Sequence, residues 1–308
     1  MKIAVIGAGL IGRAWSIVFA RAGFDVALWD VSAQAVNAAR SFIRDRLPEL
    51  QDAGLLRDAP AQVLARIRPA DTLEDALQNA THVQENGPER LADKRSLFAQ
   101  LDTLAAPEAM LASSTSGIPA SAFTEALPGR ARCLVAHPVN PPYLVPLVEL
   151  CPAPWTDPAV VERTRDLMAQ AGQAPVTVNR EVAGFALNRL QGALLAEAFR
   201  LVDDGVISPT DLDTTVKHGL GLRWSFMGPF ETIDLNAPGG LADYCARYGE
   251  LYAKMQKEMK SRRWTQALVD KLTASRRAEL PANMTSVRQE WRDRRLMALL
   301  SHKASQPE

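Results

Sequence analysis

Apolar residues in this chain come first in short runs and later in long helical stripes. KIAVIG, residues 2–7, is a brief apolar run closed by glycine, the pattern of a strand buried on both faces of a parallel sheet. GAGLIGRAWSIVFARAG follows, apolar at Leu10, Ala14, Ile17 and Val18 and stopped at Gly23, which predicts a helix with a glycine terminator. DVALWD, residues 25–30, reads as a second strand, completing one βαβ unit. Residues 33–66 read as two polar-faced helices. THVQEN, MLASST, RCLVAHP and VPLVEL supply further strands, and WTDPAVVERTRDLMAQAG a helix ahead of the strand APVTVN. Beyond Val182 the strand pattern stops. AGFALNRLQGALLAEAFRLVDDG is apolar on nearly every side, as a helix inside a bundle or between subunits would be. SPTDLDTTVKHGLG, PFETIDL, GGLADYCARYGELYAKMQKEMK and VRQEWRDRRLMALL continue helically. The pattern predicts an α/β fold: a Rossmann-type, doubly wound, mostly parallel sheet over residues 1–182, then an all-helical domain over 183–308. The closing SHKASQPE reads as disordered.

Composition narrows the classes. The 308 residues suffice for two domains, and 47% are hydrophobic, as in a globular protein. Lys and Arg together number 35, as do Asp and Glu, so no net field would gather nucleic acid or an anionic membrane. The three cysteines, Cys133, Cys151 and Cys245, form no CxxC pair, which points to reduced thiols and no metal site. No apolar run nears the roughly 20 residues of a membrane span. With the first strand beginning at Lys2, there is no room for a signal peptide. The expectation is a soluble, cytoplasmic protein without nucleic-acid or membrane partners.

Gly7, Gly9 and Gly12 form GxGxxG between the first strand and its helix. Gly7 permits the tight turn, Gly9 lets a pyrophosphate reach the backbone, and Gly12 lets helix meet strand. The helix start, at Leu10 and Ile11, offers N–H donors and partial positive charge to phosphates. Asp30 stands 18 positions beyond Gly12 at the end of the second strand. A carboxylate there accepts hydrogen bonds from ribose hydroxyls and repels a 2′-phosphate, so the expected cofactor is NAD, not NADP.

The second chemical signal is HPVNPPYLVPLVEL, residues 137–150. His137 ends one apolar strand and Glu149 lies in the next, with a proline-rich turn between them. Adjacent strands can bring the two within reach. Histidine carries protons near neutrality, its ordinary pKa being about 6.5, and a carboxylate on its second nitrogen would fix its tautomer. A histidine on an apolar strand is also commonly a satisfied structural residue, and the residues alone leave both readings open.

Several segments together resemble the L-3-hydroxyacyl-CoA dehydrogenase family: IGAGLIG, ENGPERLADK, SSTSG, HPVNPPYLVPLVE, GFALNRL and GPFE. Within it the likeness is closer to the branch of the lambda-crystallins and L-gulonate 3-dehydrogenases, through NRLQGALLAEAFRLVDDGVISPTDLD, GLGLRWSFMGPFETIDLN and WRDRRL. The resemblance implies that His137 is the general base and Glu149 the acid that orients it. It implies that Ser116 and Asn188 surround the reacting oxygen, and that Glu89 and Lys94 line the ribose and nicotinamide side of the cofactor. The physical alternatives are plain: Ser116 as a helix cap, Asn188 as a buried amide with structural partners, Lys94 and Glu89 as solvated helix charges.

The acyl-CoA enzymes have a shorter segment before GPFE that lacks arginine, whereas this chain has GLGLRWSFMGPFE. Arg223 there can clamp a carboxylate, a contact no thioester offers, and its alternative is a helix-end arginine bonding carbonyls or pairing with Glu231. The expectation is NAD-dependent oxidation of a small L-3-hydroxy acid of the L-gulonate kind, by a homodimer formed through the helical domain. The alternatives are a short-chain L-3-hydroxyacyl-CoA (3-hydroxybutyryl-CoA) dehydrogenase, a carnitine 3-dehydrogenase, and a crystallin-like NAD(H)-binding structural protein. A dehydrogenase with a lysine base would need that lysine on the long apolar helix, where none occurs before Lys217.

Overall fold

The central strand explains the layers. In the computed structural model, which describes residues 1–306, β1 (Lys2–Ile6) turns Ile3 and Val5 into one apolar cluster and Ala4 and Ile6 into another. Alternation with both faces buried is what a sheet covered by helices on two sides demands. The remaining strands are β2 (Asp25–Trp29), β3 (Ile67–Pro69), β4 (His82–Glu85), β5 (Met110–Ser113), β6 (Cys133–Pro138), β7 (Leu147–Pro152) and β8 (Ala174–Thr177). They form one sheet in the order β3-β2-β1-β4-β5-β6-β7-β8. Every pairing is parallel except β6 with β7. The order reverses between β1 and β4, and in open sheets of this kind the crevice beyond the strands' carboxyl ends at that point receives ligands.

The Rossmann-type expectation holds, and no strand follows residue 182 among the described residues. Three details differ from the pattern read in the chain. β3 is an additional edge strand, three residues long, seen only through its pairing with β2. The long apolar helix starts at Leu187, not near 183, because Gly184 and Phe185 have positive φ angles of 77° and 49°. The end of the chain is helical through Ala304, where SHKASQPE reads as disordered; Pro307 and Glu308 lie outside the described residues.

The chain divides into two compact units, Met1–Arg189 with Gln289–Glu308, and Leu190–Arg288. From Gln289 onward the last helix, Thr285–Ala304, thus belongs to the first unit, although its sequence falls within 183–308. Met297 is buried there, and Leu296 and Leu300 pack on the cluster that contains Trp15 and Phe19. Within the second unit, Phe199 stacks on Trp264 with ring centroids 4.3 Å apart, and Arg262 bonds Asp204 at 2.6 Å. Its helix Gly240–Glu258 has no buried residue, and Leu222, Phe226, Phe230 and Leu235 are exposed. No helix among the described residues is long and apolar enough to cross a membrane.

Candidate active site

The glycine loop is constrained by backbone, not by side chains. Gly7 has φ +93°, and a Cβ on Gly12 would lie 1.7 Å from the Gly7 carbonyl oxygen, so neither position admits a side chain without moving the loop. A Cβ on Gly9 would meet nothing within 4 Å. Helix Leu10–Arg21 begins there with no side-chain cap and no acidic residue in its first turn. Its early N–H groups are therefore left for an anionic ligand; Leu10 itself is exposed. Asp30 closes the far side. Its Oδ2 accepts from Ala8 N at 2.8 Å and its Oδ1 from Ser32 N at 2.9 Å, which orients the carboxylate and leaves lone pairs for a diol. Gly7, Gly9, Asp30, Asn86 and Lys94 line one crevice of about 620 Å³. Open glycine, uncapped helix and oriented carboxylate fit a dinucleotide.

The floor of that crevice is polar and centred on one ion-paired carboxylate. Glu85, at the end of β4, is 0% exposed, yet its oxygens receive Lys94 Nζ at 3.1 and 3.0 Å, Ser113 Oγ at 2.5 Å and Gly87 N at 2.6 Å. Lys94, itself buried, is thus an ion-paired residue and not a solvated one. Beside it runs a second, partly buried network. Gln84 Nε2 donates to Ser114 Oγ at 2.7 Å, Trp15 Nε1 donates to the same oxygen at 3.0 Å, and that hydroxyl donates to Asn86 Oδ1 at 2.8 Å. His82 contacts Gln84 Oε1 at 3.0 Å through Nε2. Burial holds the His82 imidazole down at about 4, against the opposing effect of that hydrogen bond.

His137 and Glu149 are register partners across the antiparallel β6–β7 pair. Their side chains therefore share one face, and His137 Nδ1 lies 2.9 Å from Glu149 Oε2. Both are buried. The other oxygen, Oε1, accepts from Ala186 N at 2.8 Å and Leu187 N at 2.9 Å. These amides open helix Leu187–Asp203, so the carboxylate also sits at a helix N-terminus, where negative charge is stabilised. The left-handed turn at Gly184 and Phe185 delivers both N–H groups, and the buried Phe185 ring packs 5.4 Å from the His137 ring. Burial pushes the Glu149 carboxyl up, but the hydrogen bonds from His137, Leu187 and Ala186 outweigh it and hold the group below its ordinary value. With an ionised carboxylate on Nδ1, that nitrogen carries the proton and Nε2 is left as an acceptor.

Ser116 and Asn188 are also brought together: Asn188 Nδ2 donates to the Ser116 carbonyl at 2.9 Å. Glu89 faces the turn that carries Ser116, accepting from Thr115 Oγ1, Ser116 N and Gly117 N. Arg223 belongs to the second unit, on helix Gly221–Trp224. Its carbonyl accepts from Phe226 N and Met227 N, but among the described residues its guanidinium makes no hydrogen bond or ion pair, with Glu231 or any other group, although its charge acts on the Tyr244 hydroxyl. Glu85, Ser113, Ser114 and Phe185 carried no separate sequence signal. The usable clue was three polar residues, His82, Gln84 and Glu85, inside a strand of buried character.

Comparison with known proteins agrees with the fold. Residues 2–182 match the 3-hydroxyacyl-CoA dehydrogenase NAD binding domain, and residues 184–281 match the 3-hydroxyacyl-CoA dehydrogenase C-terminal domain. A lambda-crystallin homolog of Bos taurus is 45% identical, over 99% of this chain and 97% of its own. An L-carnitine dehydrogenase of Pseudomonas putida is 34% identical, over 96% of this chain and 92% of its own. The crystal structure of 5-formyl-3-hydroxy-2-methylpyridine 4-carboxylic acid 5-dehydrogenase, an NAD+-dependent dismutase, superposes with a TM-score of 0.86 at 29% identity, covering 99% of both chains.

Proposed function

The chain belongs to the 3-hydroxyacyl-CoA dehydrogenase family of NAD-dependent oxidoreductases, and on that premise we propose that it oxidises the 3-hydroxyl of a small free L-3-hydroxy acid, L-gulonate-like, to the 3-keto acid. NAD, when bound, accepts the hydride. His137 takes the hydroxyl proton on Nε2, and Glu149 stabilises the imidazolium that forms. Ser116 and Asn188 flank the reacting oxygen. Gly7, Gly9, Leu10, Ile11 and Gly12 hold the pyrophosphate, Asp30 the adenosine ribose, and Lys94 the nicotinamide side. The observation that carries this reading is the 2.9 Å contact between His137 Nδ1 and a Glu149 carboxylate whose second oxygen is held by two amides. A merely structural histidine needs one partner. This one has a partner that is itself held in place by the backbone, and Nε2 is left over.

A free acid is favoured over a thioester by Arg223. Its guanidinium acts on the Tyr244 hydroxyl by charge and has no carboxylate partner among the described residues, while Trp224 and Phe226 beside it are exposed. The carnitine dehydrogenase and the pyridine carboxylic acid dehydrogenase are both named for substrates without CoA. A charged hydrogen bond contributes about 1.5–3 kcal/mol. Arg223→Met should therefore raise KM for L-gulonate by about 10- to 100-fold and leave turnover of L-3-hydroxybutyryl-CoA nearly unchanged. A higher kcat/KM for the thioester than for the acid, on one preparation of the unaltered enzyme, would overturn the assignment. The exposed apolar residues of the second unit support a homodimer in which a second copy covers them.

A further inference from the structure

Glu89 is the residue whose surroundings fit its implied role least. Its Oε1 accepts three hydrogen bonds from one turn: Thr115 Oγ1 at 2.5 Å, Ser116 N at 2.9 Å and Gly117 N at 3.1 Å. Successive N–H groups in a turn make a concave anion site, and here the anion is a side chain of the same protein. Thr115 Oγ1 in turn accepts from Ile118 N at 3.0 Å, so the hydroxyl is locked with its hydrogen on the carboxylate. Ser116 then has its N–H on Glu89 and its carbonyl on Asn188, while its Oγ makes no hydrogen bond among the described residues. The backbone is held on both sides and the hydroxyl is left free to face a substrate. Behind Glu89 stands Lys94 Nζ, 3.9 Å from Oε2 and anchored on the buried Glu85. An ammonium has three N–H groups, and two are used by Glu85.

We propose that Glu89 is a positioning residue for Ser116 and Asn188, with the Lys94–Glu85 ion pair as its footing. The inference deepens the function proposed above and rests on it for the role of those two residues. The carboxylate fixes where the Ser116 hydroxyl and the Asn188 amide meet the reacting oxygen, and small displacements there cost large factors in rate. Glu85 serves the same end one step removed. Held by Ser113 Oγ and Gly87 N on a side chain of no exposure, it sets the place of Lys94 and hence the charge that Glu89 leans on.

The test uses Glu89→Ala and Glu89→Gln in the full chain, because Glu89 is half-exposed and both variants should fold. Three readouts are taken: NADH affinity by fluorescence, kcat and KM with L-gulonate, and hydrogen exchange at the Ser116 and Gly117 amides. In Glu89→Ala the two amides should exchange at least about tenfold faster. Its kcat should fall about 30- to 100-fold with NADH affinity within about threefold of the unaltered protein. Glu89→Gln, whose amide oxygen can still accept from the turn, should recover most of kcat. Unchanged exchange at both amides, or an NADH Kd raised more than about tenfold, or no recovery with Gln, would overturn the proposal. If the unaltered chain turns over no L-gulonate, the substrate reading fails separately, while exchange and NADH affinity still decide what Glu89 holds.

Discussion

Glu149→Gln isolates the charge and the tautomer of the His137 pair while keeping its shape. The introduced amide oxygen can still accept from Ala186 N and Leu187 N, at 2.8 and 2.9 Å in the unaltered protein. Its NH₂ group is then left facing His137 Nδ1, where the carboxylate oxygen stood at 2.9 Å. Nδ1 must become an acceptor, and the ring proton moves to Nε2, the atom required to take the substrate's proton. Loss of the charged hydrogen bond alone is about 1.5–3 kcal/mol, or about 10- to 150-fold in rate. The wrong tautomer adds to this, and the equivalent change in a serine protease triad costs about 10⁴-fold. We expect kcat with L-gulonate to drop by about 10³- to 10⁴-fold, with NADH affinity within about twofold. A second measurement reads the same carboxylate through stability. Its pKa is depressed by folding, so the stability it contributes is present above the ordinary value for an unfolded glutamate, about 4.3, and is lost as pH falls through the lower, folded value. The difference in thermal stability between the unaltered protein and Glu149→Gln should therefore shrink on acidification below about pH 4.5. Turnover within about threefold of the unaltered enzyme would refute the reasoning, because no base of fixed tautomer would then be needed.

Gly12→Ala places a Cβ 1.7 Å from the Gly7 carbonyl oxygen; NADH binding should be lost and the thermal midpoint lowered, and retained affinity would mean that the loop shifts freely. His82 is neutral in the folded protein down to about pH 4 but charges near 6.5 when unfolded. Its contribution is thus full above about pH 6.5 and declines as pH falls towards about 4, by about 3 kcal/mol in all. Chemical denaturation across that range measures it, and His82→Leu, which removes the titrating group, should flatten the slope. Light scattering at micromolar concentration should give the mass of a dimer, whereas a monomer would leave Phe226, Phe230 and Leu235 facing water and remove the homodimer.

What could be read in the chain beforehand, and what could not, separates along one physical line. Side-chain pattern exposed the buried parallel strands, since two covered faces require continuous apolar runs. It exposed the glycine loop, where the absence of Cβ atoms is itself the device. It paired His137 with Glu149, since a strand, a short turn and a strand return to the same place. Features made by backbone groups left no such trace. β3 is three residues, Ile67–Pro69, recognised only by its ladder to β2. Gly184 and Phe185 look like the start of an apolar helix because they stand in the apolar run AGFAL, although their φ angles break it. The donors on Glu149 and on Glu89 are mostly main-chain N–H groups, which every residue but proline carries. Lys94 shows the consequence. A lysine and two glutamates within ten positions of one another in ENGPERLADK look like solvated charges, and only the β4 strand end, which buries Glu85 under the crevice, turns them into a framework. A carboxylate placed by sequence at the C-terminal end of a central parallel strand therefore merits reading as part of the ligand crevice even when no motif includes it.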